Sequence, residues 1–155
     1  MPDKLEFVVG GVEALALPEQ TRSTLSHSDG RPDVARLFPE GPAVYAVSVL
    51  PTEGPTVDAV GLAAGDLVYT YRRKEGFSRT SRPEPLIDGA TDAMLLDFEW
   101  DDQGGVRMHS LALVAGRPND VVVVHGAMPA LHGDDALAAM ESTMLSCRLL
   151  DDAGE

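Results

Sequence analysis

Alternation of apolar and polar residues is the most regular pattern along this chain, and it predicts β-strands. Within residues 90–100, every second residue from Met94 onward is apolar, as in a strand with one buried face. The apolar residues of this strand are Met94, Leu96, Phe98 and Trp100. Asp97 and Glu99 fall on the opposite face, which we expect to be turned to solvent. Residues 106–115 and 120–128 are apolar on both faces, so they predict central strands covered on each side.

Three shorter apolar runs in the first third of the chain also predict strands. They cover residues 5–9, 12–18 and 43–51, and the last of them ends at Pro51. Between the second and the third run, the polar stretch SHSDGRPD is rich in turn-forming residues and predicts a loop.

Two segments repeat apolar residues every three or four positions and therefore predict helices. The stripe of the first is Val57, Val60, Ala64, Leu67, Val68 and Tyr71, and that of the second is Leu137, Met140, Met144 and Leu145. Thr56 is the predicted N-cap of the first helix and Gly76 its left-handed stop. The second helix is predicted from about residue 134 to 146, with Asp134 as its N-cap.

The order of these elements predicts a single α+β domain over residues 1–150. Strands come first, then a helix, a three-strand antiparallel meander, a second helix and a short extended segment, CRLL. A helix on each side of an antiparallel β-sheet gives an α/β/α sandwich. The acidic end, DDAGE at residues 151–155, is predicted to be a disordered tail.

Charge and composition narrow the classes of partner. The formal net charge of −13 argues against nucleic acid, because phosphate contacts require dense Lys and Arg. No apolar run approaches the roughly 20 residues of a membrane span. Cys147 is the single cysteine, and the N-terminus lacks the apolar core of a secretory signal, so we expect a cytoplasmic protein.

Five of the twelve basic residues fall within residues 72–82, and only Glu75 opposes them. They are Arg72, Arg73, Lys74, Arg79 and Arg82. By count this stretch carries +4 and the rest of the chain −17. One interpretation is that the first three complement the dipole at the end of the first helix. The other is a docking site for an anionic ligand or partner.

The stretch DFEWDDQGGVRMHS, residues 97–110, is rich enough in carboxylates to raise the question of a metal or catalytic site. Read as a calcium-binding loop from Asp97, it has Asp102 where glycine is needed and Met108 where the bidentate glutamate is needed. The sequence DDQGG instead supplies the residues of a β-hairpin turn. We therefore predict a hairpin with no metal site and no cofactor.

A second candidate is a pocket holding His109, Ser110 and His125. If GRPN is a four-residue turn, Ala115 pairs with Asp120 and Ser110 lies opposite His125, whereas a shift of one residue pairs the two histidines. Two imidazoles do not satisfy zinc, which takes three or four protein ligands in its usual sites. No nucleophile elbow or phosphate-binding loop occurs in the sequence, so no catalytic residue is assigned.

The order and spacing of four segments within residues 43–150 resemble a known family. The segments are YRRKEGF, LIDGATDAMLLDFEW, VRMHSLALVAGRPNDVVVVHGAMP and ALAAMESTMLSCRLL. The pattern resembles small bacterial proteins with the PsbP-like fold, which include the DcrB-type proteins and the Eag chaperones of type VI secretion. The resemblance implies a non-enzymatic binding, assembly or chaperone protein, with a dimer that cradles apolar segments of a client.

Two hypotheses about function follow. In the first, the chain is a non-enzymatic cytoplasmic adaptor or chaperone-like protein that binds a protein partner. One version of this hypothesis associates it with secretion, and another has it form a homodimer. Its docking surface is either the basic stretch or an uncovered sheet face carrying Met108, Val122, Val124 and Met128. In the second, it is a small ligand-binding domain or enzyme with the histidine-containing pocket.

Overall fold

The computed structural model describes residues 5–9, 12–16, 25–27, 34–37, 43–51, 58–118 and 120–149. The helices and strands of this part of the chain, in order, are β1 (Leu5–Val9), β2 (Val12–Ala16), β3 (Leu25–His27), β4 (Val34–Leu37), β5 (Val44–Pro51), α1 (Ala59–Arg72), β6 (Ser78–Thr80), β7 (Ala93–Asp101), β8 (Arg107–Arg117), β9 (Asp120–Pro129), α2 (Gly133–Leu145) and β10 (Arg148–Leu149). A 3₁₀ turn, Ala130–His132, connects β9 to α2.

Seven of these strands form one antiparallel sheet in the order β3-β4-β5-β9-β8-β7-β6. Strands β1, β2 and β10 form a second, three-stranded sheet, which ties the end of the described chain back to its beginning. The predicted α+β class, an antiparallel sheet with a helix on each side, is confirmed. Strands β3 and β4 were not predicted. Strand β3 includes Ser26 and His27, the first two residues of the polar stretch predicted as a loop, and β4 begins directly after that stretch. The predicted acidic tail, residues 151–155, lies outside the described residues.

Helix α1 covers one face of the large sheet. The even-numbered residues of β7 point toward this helix, as the alternation predicted, and Leu96 and Phe98 are at most 1% exposed. Val60 and Ala64 of α1 close the layer and are also buried. The helix begins at Ala59, and Asp58, in a left-handed conformation with φ of 67°, is its N-cap residue. The predicted N-cap, Thr56, lies outside the described residues.

Helix α2 covers the opposite face. Met140 and Met144 are buried against the odd-numbered residues of β8 and the even-numbered residues of β9. On this face Val122, Val124 and Met128 are each 1% exposed. The hypothesis of an uncovered sheet face is therefore wrong at these three positions.

The helix ends differ from their predictions in detail. Helix α1 ends at Arg72, and Gly76, with φ of 70°, lies in the turn that follows rather than at the cap. Helix α2 begins at Gly133, so Asp134 lies in its first turn, where a carboxylate favours the positive end of the helix dipole. No helix in the described part of the chain is long and apolar enough to cross a membrane.

Residues 97–110 form the predicted hairpin between β7 and β8. The Asp102 carboxylate accepts hydrogen bonds from the backbone N–H groups of Gly104 and Val106, each at 2.9 Å. Gly105 supplies the positive φ, 81°, that this turn requires. The carboxylate of Asp102 thus acts inside the turn.

The register between β8 and β9 differs from the predicted one by two residues. Arg117 pairs with Asp120, because Gly116 and Arg117 continue the strand rather than forming part of a four-residue turn. The Arg117 guanidinium donates to both carboxylate oxygens of Asp120, at 2.7 and 3.0 Å, which holds this tighter connection. Ser110 consequently lies opposite Ala127 and not opposite His125.

Candidate functional site

A groove of about 340 Å³ lies between α1 and β6, the edge strand of the large sheet. Its helix side consists mainly of Gly61, Ala64, Gly65 and Val68. Because these side chains are small, the helix leaves open space beside the sheet, and a Cβ added at Gly65 would meet nothing within 4 Å. Met94 of β7 lines the groove from the sheet side.

Two of the predicted basic residues, Arg72 and Arg79, line this groove from different elements. Arg72 is in the last turn of α1, and Arg79 is the middle residue of β6, opposite Phe98 and therefore on the α1 face of the sheet. Both side chains are exposed, and neither forms an ion pair with any residue that the structure describes. The groove therefore combines a partly apolar surface with two cations that are available to an anionic group.

The other three predicted basic residues have different surroundings. Arg73 lies over the ring of Tyr69, with 5.6 Å between its guanidinium carbon and the ring centroid. Lys74 Nζ lies 5.5 Å from the ring centroid of Tyr71. These cation–π contacts hold the two side chains on α1 aromatic rings. The five residues thus do not form one patch, since the fifth, Arg82, forms ion pairs on the other face of the sheet.

Arg82 belongs to an ionic centre around Asp97. Asp97 is only 4% exposed, and its carboxylate accepts hydrogen bonds from Arg82 Nε at 2.8 Å and lies 2.7 Å from His109 Nε2. A second Arg82 nitrogen donates to Glu141 of α2 at 2.5 Å. The hydrogen bond to Asp97 is the main reason that the pKa of the Arg82 guanidinium is raised. The expectation that Asp97 faces solvent is wrong, because α2 and Arg82 cover it.

The same face continues outward through Arg107. Its guanidinium donates to Glu99 at 2.9 Å and to Asp101 at 3.2 Å, and these hydrogen bonds raise the pKa of Arg107. Glu99 also lies 3.5 Å from His109 Nδ1, so carboxylates approach both ring nitrogens of that histidine. Within the described residues, no group of three or more His, Cys, Asp or Glu side chains is arranged to hold a metal ion.

Ser110 and His125 lie on the α1 face, opposite to His109. The Ser110 hydroxyl is fully buried and accepts a hydrogen bond from Trp100 Nε1 at 2.9 Å. His125 packs edge-on against Tyr71, with ring centroids 5.3 Å apart, and its Nε2 is buried with no hydrogen-bond partner in the described part of the chain. Burial lowers the pKa of His125 to about 4.

The predicted pocket of His109, Ser110 and His125 is therefore not assembled. The sheet separates His109 from the other two residues, and the serine hydroxyl is occupied by an indole N–H rather than by an imidazole. A serine whose hydroxyl does not contact a base lacks the arrangement needed for nucleophilic catalysis.

The ionic centre was not predicted from the sequence, although part of its signal was present there. Alternation placed Asp97 and Glu99 on one face, and the hairpin turn implied that His109 would lie across from them. The missing information was that α2 packs over this face and brings Glu141 to Arg82. For the groove at α1, the signals in the sequence were the small residues of the helix and two members of the basic stretch, Arg72 and Arg79.

Comparisons with known proteins locate the fold but not a function. No protein-family profile and no curated protein matches the chain. A solved structure from Bacteroides thetaiotaomicron is similar over 99% of this chain, with a TM-score of 0.59 and 11% identity; the chain spans only about half, 51%, of that protein. PA94 from Pseudomonas aeruginosa, described as a protein of unknown function and putative regulator, is similar at TM-score 0.51 and 17% identity, over 92% of this chain and 96% of its own. LpqN of Mycobacterium tuberculosis, described as involved in cell envelope biogenesis, is similar at TM-score 0.53 and 12% identity, over 95% and 83%.

Proposed function

We propose that this chain is a non-enzymatic, cytoplasmic protein-binding adaptor that holds an acidic part of its partner in the groove between α1 and β6. The observation that carries the proposal is the pair Arg72 and Arg79. They converge on one groove from two elements, and neither is neutralised by the described residues. On a strongly acidic protein, exposed arginines that pair with no described carboxylate favour a partner that supplies one.

The surroundings of the groove support a protein rather than a small metabolite as the partner. The groove has only two charged side chains among its lining residues, and the rest of the lining is largely aliphatic. It lies at the edge of the sheet and is not an enclosed cavity. Tyr69, which borders it, is 59% exposed, and Leu62 on the same helix is 64% exposed. Exposed aromatic and aliphatic side chains beside arginine are typical of protein interfaces. A chaperone-like role toward a secreted client is one form of this proposal.

The alternative proposal, a ligand site or enzyme centred on the histidines, has no comparable observation in its favour. His109 is engaged by Asp97, and His125 is enclosed by aromatic rings on the other face of the sheet.

Photo-crosslinking in the native cell tests the adaptor function. A photoreactive amino acid at Gly65, where an added Cβ would meet nothing within 4 Å, reports on what lies at the groove, and the variant R72E/R79E reverses the two groove charges. The matched control is R73E/K74E, which changes the net charge of the chain equally but leaves the groove cations in place. We expect a defined protein adduct that falls at least about tenfold in R72E/R79E and is unchanged in R73E/K74E. Equal loss in both variants, or an adduct that neither variant affects, would contradict the proposal.

A further inference from the structure

The groove between α1 and β6 continues into a second groove, of about 280 Å³. The two share Gly61, Arg79 and Met94, so together they form one depression, the long groove. It extends from Asp58, which precedes the first turn of α1, to Arg72 in the last turn. At about 1.5 Å of helix rise per residue, the long groove is roughly 20 Å long.

The chain's own residues line the long groove on the side opposite α1. After β6, the segment that contains Ser81, Arg82 and Glu84 lies beside Ala93 and Leu95 of β7. Because Ala93 and Leu95 are buried, this part of the sheet offers no free backbone to a bound partner. Recognition in the long groove therefore depends on side chains.

Charged side chains of opposite sign occupy different parts of the long groove. Asp58, Glu84 and Asp92 line only the second groove, whereas Arg72 lines only the first and Arg79 lines both. All five are exposed, and none forms an ion pair with any residue that the structure describes. The long groove thus has a basic end at the C-terminus of α1 and an acidic end at its N-terminus.

The ionic centre on the α2 face shows the opposite arrangement, because each of its carboxylates pairs with an arginine of the same chain. The pairs are Asp97 and Glu141 with Arg82, and Glu99 and Asp101 with Arg107. In the long groove, Arg79 lines the same space as three carboxylates and pairs with none of them. Unpaired charges that are separated by sign favour a partner with the complementary arrangement.

We infer that the partner occupies the long groove with a bipolar segment, acidic at one end and basic at the other, an inference that rests on the proposed function. Its carboxylates pair with Arg72 and Arg79. Its lysine or arginine side chains pair with Asp58, Glu84 and Asp92, and apolar side chains between the two ends pack on the small residues of α1. An extended segment spans roughly 20 Å in about six residues, and a helix in about fourteen.

Two other occupants fit the acidic end less well. A metal ion needs several ligands in a fixed geometry, and no group of three or more His, Cys, Asp or Glu among the described residues is arranged to hold one. A segment that is acidic throughout would bring carboxylates against Asp58, Glu84 and Asp92, and like charges in contact reject a partner. Long, flexible basic side chains can instead reach separate carboxylates.

The probes for this inference are phage-displayed random peptides of about sixteen residues, selected on the full chain. An enriched peptide is synthesised in two further forms, one with its basic residues and one with its acidic residues replaced by glutamine. The protein variants are D58N/E84Q/D92N and R72Q/R79Q, which remove charge at nearly constant size. Asparagine also tolerates the left-handed conformation of Asp58, with φ of 67°.

The expected result is a specific coupling between each end of the peptide and one end of the long groove. Neutralising either end of the peptide weakens calorimetric binding to the wild-type chain by at least about tenfold. Loss of the basic residues has less than about a threefold effect on D58N/E84Q/D92N, because their partners are already absent, and loss of the acidic residues has as little effect on R72Q/R79Q. The control D66N/D134N/D135N removes three exposed carboxylates outside the long groove and should bind the unmodified peptide within about threefold of wild type.

The outcomes separate the two proposals. Peptides that couple to R72Q/R79Q but bind D58N/E84Q/D92N as tightly as wild type would overturn the bipolar segment and leave the adaptor function standing. Equal weakening by D58N/E84Q/D92N and D66N/D134N/D135N would also overturn it, since the basic residues would then respond only to the net charge of the chain. Peptides that bind through basic residues alone, or no peptide that depends on either end of the long groove, would overturn the adaptor function together with the inference.

Discussion

The burial of His125 predicts a pH dependence of stability that can be isolated by one substitution. The ring lies among Tyr71 and Phe98, with centroids 5.3 and 5.9 Å away, and Nε2 has no hydrogen-bond partner in the described part of the chain. Protonation would place an unpaired charge in this aromatic cluster, and this is the reason that the pKa of His125 is lowered to about 4 from its ordinary value of 6.5.

The sign and size of the effect follow from that difference. Between pH 6.5 and about 4 the unfolded chain binds a proton at this position and the folded chain does not. Stability is therefore fully present above pH 6.5, falls as the pH drops and levels off below about pH 4. The full difference corresponds to about 3 kcal/mol, of which roughly 2 kcal/mol is lost by about pH 4.5.

Denaturant unfolding from about pH 7.5 to about pH 4.5 measures this loss, and His125→Leu isolates it from the carboxylates that titrate in the same range. The variant removes the unpaired nitrogen at similar volume, so we expect it to be at least as stable as wild type at neutral pH and more stable by roughly 2 kcal/mol near pH 4.5. The same substitution at the exposed His132 is the control and should follow the wild-type curve. If wild type and His125→Leu lose stability in parallel, the argument from burial is refuted.

Further predictions concern the ionic centre, one glycine and the cysteine. Arg82→Met leaves the buried Asp97 carboxylate with an incomplete set of partners, so we expect a loss of roughly 2–3 kcal/mol in unfolding free energy, against less than about 0.5 kcal/mol for Arg79→Met; equal losses would contradict this. Gly89→Ala puts a Cβ on a residue with φ of 84° and only 2.0 Å from a carbonyl oxygen of β10, so we expect the unfolding free energy to fall by on the order of 3 kcal/mol. Thermal unfolding measures this loss, and an unchanged Tm would refute the contact. Burial raises the pKa of Cys147 to about 12, so native protein should react with a thiol reagent at least about a thousandfold more slowly than unfolded protein, and rapid labelling under native conditions would contradict that.

The local elements could be predicted from the sequence wherever the pattern was long enough to define a period. Strand β7 and the division of its side chains between two faces were predicted correctly, because apolar and polar residues alternate from Leu96 to Asp101; that the face with Asp97 is covered was not predicted. Strands β3 and β4 were missed, since three and four residues are too few to show an alternation. They are recognisable only from their pairing with each other and with β5.

The candidate site could be predicted only in part. The basic stretch was visible as a cluster in the sequence, but which of its members are available was not. Arg82 forms ion pairs with Asp97 and Glu141, and Lys74 lies over aromatic rings. Arg72 and Arg79, in contrast, line the groove. Sequence distance within the cluster carries no information about this division, because Arg72 belongs to α1, Arg79 to β6, and Arg82 to the segment after β6 that contacts α2.

By itself, the sequence determined the α+β class, the hairpin at Asp102 and the two apolar helix stripes, because these depend on residues that are neighbours along the chain. Tertiary structure alone decided which carboxylates are buried, where β8 and β9 come into register and which basic side chains remain unpaired among the described residues. Most of those features depend on contacts between distant segments, such as Glu141 with Arg82, which are 59 residues apart. The groove proposed here as the binding site exists because β6 ends after three residues beside a helix of small side chains.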